Sequence, residues 1–300
     1  MYDLIIAGAG PAGITAGVYA ARKRMNFLVI SKNVGGQTLL TAGIENYTGY
    51  QFVTGPELAV KFKDHAEQFG MPLKEGETVE LVEKAGDAVK VKTDRGEYES
   101  KAVIVASGRI PRKLRVRGEA EYTAKGVAYC ATCDGPVFAG KDVAVIGGGN
   151  SAVQAAIQMM KISPVVHLVD AADKFRADPV STEKVLNADN VKVYHSARVE
   201  EIYGDKFVAG MKISDKNGMH DLSVEGVFVE IGSLPASDFV NGVSRDETGQ
   251  ININCKCETT VEGIYAAGDV TSVPAKQIII ACGEGAKACL MAFDYLARRK

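Results

Sequence analysis

The chain has 300 residues, of which 46% are hydrophobic, and a formal net charge of -2 at pH 7. This balance lacks the basic excess that nucleic-acid binding requires, and no apolar run reaches the ~18 residues of a membrane span. A chain of this length can form two domains, each with its own buried core. We therefore expect a globular protein that binds neither nucleic acid nor a membrane.

The chain opens with a strand, a glycine-rich turn and a helix. Apolar residues 4–7 form the strand pattern, and Ile14, Val18 and Ala21 share one face of the helix that follows. Between them, the Gly-x-Gly-x-x-Gly spacing allows a tight turn, close approach of a pyrophosphate, and binding of that anion at the helix start. The candidate dinucleotide-binding residues of this turn are Gly8, Gly10, Pro11, Ala12 and Gly13.

Two cysteines separated by two residues, Cys130 and Cys133, are followed at once by Asp134. Thiol–disulfide exchange needs a thiolate, a second thiol that resolves the mixed disulfide, and an acid that manages the proton. A zinc site would need two further ligands, and the one-residue gap between Cys255 and Cys257 is poor for a zinc turn. We therefore predict a redox-active dithiol and no metal site.

The other cysteines and the start of the chain bear on its compartment. Six cysteines are too few for a disulfide scaffold, and the strand pattern at residue 2 leaves no room for a signal peptide, so we expect a cytoplasmic protein. Cys255 and Cys257 alternate, which predicts one face of a strand, where they are apolar fillers or exposed thiols. Cys282 and Cys289 are predicted to pack in the core.

A second strand, turn and helix follow the dithiol. Residues 143–146 are apolar, and the turn after them has the spacing Gly-x-Gly-x-x-Ala. Two dinucleotide sites in one chain suit hydride transfer from a nicotinamide to a flavin, so we expect FAD and a nicotinamide cofactor. The candidate residues of the second turn are Gly147, Gly149, Asn150, Ser151 and Ala152.

The choice between NADH and NADPH is expected to depend on a residue about twenty positions after the second glycine loop. Asp170 lies there and can accept a hydrogen bond from a ribose 2'-hydroxyl, whereas it would repel a 2'-phosphate. The sequence therefore favours NADH and disfavours NADPH. The matching stretch after the first loop, residues 31–33, reads Ser-Lys-Asn and offers no acid for an adenosine ribose.

The C-terminal part supplies a further flavin contact. A short strand at 264–267 delivers Gly268 and Asp269, and Asp269 can accept hydrogen bonds from a ribityl hydroxyl. We expect the glycines at 283 and 285 to open the last helix, whose positive end would stabilise charge on a reduced flavin ring.

The motifs GAGPAG, GGQ at 35–37, ENY at 45–47, CATCDGP, GGGNSA and YAAGD resemble, in order and spacing, the low-molecular-weight thioredoxin reductases. The stretches KGVAYCATCDGP and AKQIIIACGEGAKACLMAFDYL are also similar to the reductase part of the flavoprotein subunit of alkyl hydroperoxide reductase. That subunit carries additional N-terminal thioredoxin-like domains, which this sequence lacks. We therefore expect the electron acceptor to be a separate protein.

The resemblance implies an α/β fold with two Rossmann-like, three-layer ββα dinucleotide-binding domains, the second inserted into the first. It places a FAD-binding domain at 1–112 and 236–300 and a nicotinamide-type domain carrying the dithiol at 113–235, in a homodimer. It also implies that Cys133 faces the flavin, that Cys130 attacks the substrate disulfide and that Asp134 is the general acid or base. Further cofactor contacts implied by the matching motifs are Gly36, Gln37, Asn46 and Gln277.

The resemblance predicts a thioredoxin-disulfide reductase whose acceptor is thioredoxin or a thioredoxin-like redoxin. Its NADPH-using members carry a His-Arg-Arg run where this chain has Asp170, Ala171 and Ala172. The absence of that run leaves two donors open, NADH and, as in atypical members, reduced ferredoxin. A flavin NADH oxidase and a flavin-bearing redox sensor are the rival functions.

Overall fold

The structure, a computed structural model, describes residues 1–40, 44, 46–123, 125–129 and 131–299, and the backbone alone for Leu40, Thr132 and Cys133. It divides the chain into two compact units. The first unit consists of Met1–Ile110 and Leu234–Lys300, and the second of Pro111–Ser233. Among the described residues no helix is long and apolar enough to cross a membrane.

The N-terminal part of the first unit alternates strands and helices. Its strands are β1 (Tyr2–Ala9), β2 (Phe27–Val34), β3 (Leu73–Glu75), β4 (Val79–Ala85), β5 (Ala88–Thr93), β6 (Glu97–Val105) and β7 (Arg109–Pro111). Its helices are α1 (Pro11–Arg22) and α2 (Gly55–Gln68), with a 3-10 turn at Gly36–Leu40. Helix α2 starts at a capping box, in which Thr54 and Glu57 satisfy each other's backbone N–H groups.

The second unit and the returning chain supply the remaining elements. The second unit contains β8 (Val127–Ala128), α3 (Ala131–Asp134), a 3-10 turn (Gly135–Phe138), β9 (Val143–Ile146), α4 (Asn150–Met159), β10 (Val166–Val169), α5 (Pro179–Leu186), β11 (Val191–Tyr194), β12 (Arg198–Gly204), β13 (Val208–Asp215), β14 (Gly218–Leu222) and β15 (Gly226–Val229). The chain then returns through β16 (Ser233–Pro235), β17 (Ile264–Ala266) and α6 (Ile278–Arg298).

Each unit is built around a parallel sheet. In the first, the strand order is β3-β2-β1-β6-β5-β4, with β17 paired in parallel to the end of β6 and with β4 and β5 antiparallel. In the second, β11-β10-β9-β15-β8 is parallel throughout, and β12-β13-β14 form a separate antiparallel sheet. The predicted α/β class with two Rossmann-like units is confirmed.

The two-residue repeat of a strand explains why each unit has three layers. In β1, Leu4 and Ile6 belong to the apolar core under the helices, whereas Ile5 belongs to the core beneath β4 and β5. In β9, Val145 faces the core of α4 and α5, and Ile146 faces the antiparallel sheet. Strands buried on both faces read as continuous apolar runs, which is why both runs could be recognised in the sequence.

The expected start of the last helix is wrong. Helix α6 begins at Ile278, after Gln277 with an extended backbone, so the glycines at 283 and 285 lie inside it. Gly285 is needed for packing: a Cβ there would lie 2.0 Å from the carbonyl oxygen of Ala12 in α1. The missing side chain therefore permits a close crossing of two helices and does not mark a helix end.

The expected strand at Cys255 and Cys257 is also wrong. Asn254 Oδ1 accepts hydrogen bonds from the backbone N–H groups of Lys256 (2.9 Å) and Glu258 (3.1 Å), which folds this stretch into a turn. Cys257 has a left-handed backbone with φ 61° and is buried, whereas Cys255 is exposed. The two thiols therefore do not share a face. Cys282 and Cys289 are buried in the core, as predicted.

Candidate functional site: two nucleotide turns and a cysteine-bearing helix

The turn between β1 and α1 contains two glycines that the protein itself requires. Gly8 has φ +115°, and a Cβ there would lie 2.3 Å from the carbonyl oxygen of Ala106. A Cβ on Gly13 would lie 1.8 Å from the carbonyl oxygen of Gly8. These contacts draw the first turn of α1 tightly against the strand end.

Gly10 is different, because neither its backbone nor its neighbours demand a glycine. It has φ -74°, and the nearest atom to an added Cβ would be the Cα of Gly36, at 3.9 Å. Gly10 is the N-cap of α1 and makes no side-chain cap, and Pro11 occupies the first turn. The free space above the helix start is a cradle that a side chain would fill, and it fits a pyrophosphate held by backbone N–H groups.

The second segment of this cradle is the turn after β2. Gly36 has φ +54°, and a Cβ on it would lie 3.3 Å from the Cα of Gly10. Gln37 follows and donates from Nε2 to the carbonyl oxygen of Arg109 (3.3 Å). The structure therefore brings the GGQ motif against the first glycine loop.

The C-terminal part closes the cradle from a third direction. Gly268 has φ +79°, and a Cβ there would lie 3.0 Å from the Cβ of Ala12. Asp269 follows it, and burial raises the pKa of its carboxyl, an effect that Lys276 and Arg109 oppose. Asp269 is thus a half-buried acceptor beside the nucleotide turn, where a ligand hydroxyl can reach it.

Two further residues of the first unit form a pair, and one that the sequence analysis missed fixes the turn at Gly268. Asn46 Nδ2 donates to Gln277 Oε1 (3.0 Å), and Gln277 is the N-cap of α6. Glu284 is buried in α6, and its Oε2 accepts from the backbone N–H of Gly268 (2.6 Å) and from Thr271 Oγ1 (3.3 Å). The sequence does contain a signal for this role, because Glu284 is an acidic residue inside an otherwise apolar helix.

In the second nucleotide turn, as in the first, one glycine is required by the protein itself and another leaves free space. Gly147 has φ +136°, and a Cβ there would lie 2.4 Å from the carbonyl oxygen of Glu230. Gly149 has φ -93°, caps α4 without a side chain, and has nothing within 4 Å of an added Cβ. Its free space again fits a bound phosphate group. Ala152 is buried beneath the turn.

The two polar residues at the start of α4 remain near the surface. Asn150 and Ser151 are exposed, and Asn150 Oδ1 accepts from the backbone N–H of Asp178 (2.7 Å). The backbone N–H of Arg176 donates to the carbonyl oxygen of Gly148 (2.8 Å). The segment after β10 therefore folds back along the glycine turn.

Asp170 lies at the end of β10, directly against this turn. The residue is 2% exposed, and its Oδ1 accepts a hydrogen bond from the backbone N–H of Ala172 (3.1 Å). Its Oδ2 has no hydrogen-bond partner within the described part of the chain. A Cβ on Gly148 would lie 1.8 Å from that oxygen, so the middle glycine of the loop is required by the acid. A buried carboxylate oxygen without a donor fits a ligand hydroxyl.

The cysteine-bearing segment is described in part. Cys130 lies outside the described residues, and Cys133 belongs to the short helix α3, where its side chain is not described. Asp134 ends α3, and although the residue is exposed overall, partial burial raises the pKa of its carboxyl. Among the described residues, no group of three His, Cys, Asp or Glu side chains could hold a metal ion.

Two side chains that the sequence analysis missed hold the start of α3. The Glu230 carboxylate accepts a hydrogen bond from the backbone N–H of Ala131, and Gln158 Nε2 donates to the carbonyl oxygen of Ala131 (3.2 Å). Burial raises the pKa of Glu230 to about 7, and the Ala131 N–H opposes that shift. No spacing in the sequence links residue 230 with residue 131.

Residues 2–285 match the family described as pyridine nucleotide-disulphide oxidoreductase. Among curated proteins, an alkyl hydroperoxide reductase subunit of Pseudomonas putida is 43% identical over 305 residues, which cover 99% of this chain. The aligned part is 58% of that relative, so the chain spans a little over half its length.

Two solved thioredoxin reductases have similar structures over nearly the whole chain. The enzyme of Lactococcus lactis has a TM-score of 0.90 at 36% identity, and the match covers 99% of this chain and all of that one. The enzyme of T. acidophilum has a TM-score of 0.88 at 37% identity, covering 100% and 99% of the two chains.

Proposed function

Because the chain belongs to the pyridine nucleotide-disulphide oxidoreductase family, we propose that it is a FAD-dependent thioredoxin-disulfide reductase with NADH as its donor. Electrons pass through the flavin and the Cys130/Cys133 dithiol to a thioredoxin-like protein. One observation carries the proposal. Each unit has a glycine-rich turn between a strand and a helix, and neither the backbone nor the packing requires the second glycine of that turn, Gly10 or Gly149. Two such cradles in one chain suit two dinucleotides.

The first unit is the FAD domain of this proposal. The turn at Gly8, Gly10 and Gly13 holds the pyrophosphate at the start of α1, while Gly36 and Asp269 approach the same cradle. Pro11, Ala12, Gln37, Asn46, Gly268 and Gln277 complete the proposed contacts. Bound FAD supplies two-electron chemistry between a nicotinamide and a disulfide.

The second unit is the nicotinamide domain. Gly147, Gly149 and the start of α4 hold the pyrophosphate, and Asn150, Ser151 and Ala152 line that helix start. The free Oδ2 of Asp170 accepts a hydrogen bond from an adenosine ribose hydroxyl. A 2'-phosphate would place negative charge against that buried carboxylate, which supports NADH over NADPH.

The dithiol passes the electrons onward by thiol–disulfide exchange. The Cys130 thiolate attacks one sulfur of the acceptor disulfide, forming a mixed disulfide and releasing the other sulfur as a thiolate, which Asp134 protonates. The Cys133 thiol then gives up its proton and attacks the Cys130 sulfur as a thiolate. The second acceptor sulfur leaves and takes up that proton, so that the acceptor leaves as a dithiol and Cys130–Cys133 remains as a disulfide. The raised pKa of Asp134 supports its role as the acid.

The acceptor, assembly and location belong to the same proposal. A thioredoxin or thioredoxin-like redoxin is supported by the similarity to the two thioredoxin reductases. The family resemblance supports a homodimer. A dithiol that must be re-reduced in every cycle suits the cytoplasm, where thiols are kept reduced.

The test of the donor is an anaerobic titration of the yellow holoprotein with NADH, NADPH and photoreduced ferredoxin, followed by bleaching of the flavin absorbance. We expect rapid bleaching by NADH. Asp170→Asn should raise the KM for NADH at least about tenfold, the equivalent of one lost charge-assisted hydrogen bond. Asp173→Asn, an exposed acid on the same segment, is the control with the same charge change. Bleaching by ferredoxin alone would overturn the donor assignment.

The test of the acceptor step uses Cys130→Ser and Cys133→Ser. Both variants should lose turnover with a thioredoxin disulfide while NADH still bleaches the flavin. Full thioredoxin turnover in either variant would contradict the dithiol mechanism. Oxidation of NADH by O2 that both variants retain, with no reduction of thioredoxin by the wild type, would favour a flavin NADH oxidase, which has no need of the cysteines.

A further inference from the structure

His195 follows β11, beside the strand end that carries Asp170. The backbone N–H of Asp170 donates to the carbonyl oxygen of Tyr194 (2.8 Å), the residue before His195. The backbone N–H of Ser196, the residue after it, donates to the carbonyl oxygen of Ala172 (2.8 Å). These two hydrogen bonds flank His195 and tie it to the segment that follows β10.

The imidazole of His195 has a buried nitrogen that the protein leaves without a partner. This atom is Nδ1, and none of the described residues forms a hydrogen bond with it. The Phe175 ring lies against the imidazole, with 4.5 Å between the ring centroids and an angle of 58° between their planes. Phe175 in turn packs against the core of α4 and α5. The imidazole is therefore held in place by an apolar ring, which offers its nitrogen no hydrogen bond.

Two neighbouring strand ends in the described part of the chain thus each present an unpartnered buried atom, Asp170 Oδ2 and His195 Nδ1. A buried polar atom without a partner costs free energy, so each of these atoms calls for an explanation. A bound ligand would satisfy both. The carboxylate oxygen accepts hydrogen bonds, and the imidazole nitrogen accepts or donates according to its tautomer.

The order of the strands matches the order of the groups in an adenosine diphosphate. The sheet runs β11-β10-β9, all parallel, and neighbouring strands lie ~4.8 Å apart. The turn after β9 is the proposed pyrophosphate cradle, and Asp170 at the end of β10 is the proposed ribose acceptor. The group attached to that ribose is adenine, and the next strand end carries His195. Adenine both donates and accepts hydrogen bonds, so either tautomer of His195 finds a partner on it.

We propose that His195 recognises the adenine base of the bound dinucleotide through Nδ1, and that Phe175 is the positioning residue for the imidazole. This inference rests on the nicotinamide domain proposed above and adds the residue that recognises the base. A site built to hydrogen-bond its ligand discriminates strongly, because a ligand without the matching group leaves the buried atom unpaired. Asp170 and His195 then recognise different parts of one nucleotide.

The experiment measures binding of ADP-ribose to the FAD-loaded protein by isothermal titration, so that no turnover is required. His195→Leu removes the ring nitrogens and should raise the Kd about three- to tenfold, the equivalent of one hydrogen bond. His195→Asn returns a polar atom near the place of Nδ1 and should recover most of the affinity. The control is His65→Leu, because His65 is an exposed histidine of the first unit whose ring lies 5.4 Å from that of Phe69. It should bind ADP-ribose as wild type does.

Two measurements separate recognition from a structural role. Because Nδ1 has no partner within the described chain, His195→Leu should keep or raise the free energy of unfolding in urea while it weakens binding. Lower stability with an unchanged Kd would overturn the proposal. Phe175→Leu should weaken ADP-ribose binding when His195 is present and have no further effect in the His195→Leu background. Additive effects would contradict the positioning role of Phe175.

Competition against ADP-ribose separates the base from the sugar. Ribose 5-phosphate has the ribose and phosphate of 5'-AMP but no base, so His195→Leu should weaken competition by 5'-AMP alone. An equal effect on both competitors would overturn the assignment to the base. A wild-type protein that does not bind ADP-ribose would overturn both the nicotinamide domain and this inference. Binding of ADP-ribose that depends on His195, without bleaching of the flavin by NADH, would overturn only the proposed donor.

Discussion

The turn between β1 and α1 and the turn between β9 and α4 share their spacing but differ in what surrounds them. In the first, Gly13 presses against the Gly8 carbonyl, and no acid follows at residues 31–33. In the second, Ala152 takes the place of Gly13, and buried Asp170 packs on Gly148. The comparison separates glycines that the fold requires from glycines that leave room for a ligand. In our proposal, recognition of the ribose depends on Asp170, a residue outside the glycine pattern.

The largest expected effect concerns the last residue of each glycine pattern, which is Gly13 in the first turn and Ala152 in the second. Gly13→Ala should destabilise the first unit by more than about 3 kcal/mol, because its Cβ would lie 1.8 Å from the Gly8 carbonyl oxygen. Ala152→Gly, its counterpart, should cost only about 1 kcal/mol through helix propensity and a small loss of packing. Urea unfolding measures both. Equal losses would mean that the two turns are packed alike.

The next largest effect is expected when the second glycine of each turn is replaced by alanine. Gly10→Ala and Gly149→Ala have room in the protein itself, so both should fold with near wild-type stability. If pyrophosphates occupy the cradles, Gly10→Ala should lower FAD affinity at least about tenfold, and Gly149→Ala should raise the KM for NADH by a similar factor while keeping the flavin. Flavin absorbance of the purified variants and steady-state kinetics separate the two. Loss of flavin in Gly149→Ala would contradict the assignment of the units.

A pH-dependent effect on stability compares two acids beside the turns, buried Glu284 and half-buried Glu230. The pKa of both is raised by burial, and for Glu230 it reaches about 7. Because the folded state binds the proton more tightly than the unfolded state, protonation of Glu230 adds to the free energy of unfolding. This stabilisation is fully present below the unfolded pKa of about 4.5 and is lost as pH rises to about 7. Relative to Glu230→Gln, wild type should lose on the order of 2 kcal/mol across that range, allowing for partial exposure.

Urea unfolding at pH 4.5 and pH 8 measures this difference. A pH-independent difference between wild type and Glu230→Gln would show that the carboxyl does not titrate in that window. For Glu284→Gln we expect a change of the same sign. Burial raises the pKa of Glu284, and the hydrogen bonds that the Gly268 N–H and the Thr271 hydroxyl donate to its carboxylate oppose that shift.

The smallest effect concerns the end of the second strand in each unit. Lys32 is exposed at the end of β2, so Lys32→Gln should change FAD affinity less than about twofold. Asp170→Asn, at the corresponding place in the second unit, is expected to change NADH binding far more. Isothermal titration of the flavin-free protein with FAD checks the first value. A large loss in Lys32→Gln would mean that this side chain meets a phosphate.

Local patterns allowed much of the fold to be predicted. The two apolar strands before the glycine turns are found in β1 and β9, because strand, turn and helix of such a unit are encoded by neighbouring residues. The resemblance to the thioredoxin reductases is confirmed by the family match and the similar structures. The cofactor contacts and the roles of the cysteines remain predictions.

Contacts between distant residues could not be predicted in the same way. Gly285 was interpreted as a helix start because its partner, Ala12, lies at the other end of the chain. The turn at Cys255 depends on the side chain of Asn254, which the alternation of the cysteines did not consider. Glu230 and Ala131 are joined by one hydrogen bond across the sheet edge, and no periodicity indicates such a pair.

The crossing of α6 over α1 has a consequence for the order in which the protein is made. The second unit is complete once Ser233 has been synthesised, whereas the first unit needs α6, which starts at Ile278. On the ribosome, the inserted unit can therefore fold while β1 and α1, which are synthesised before it, still lack the helix that Gly285 seats against Ala12. If the first unit holds the flavin as proposed, flavin capture becomes a late event of biosynthesis, delayed until α6 has left the exit tunnel.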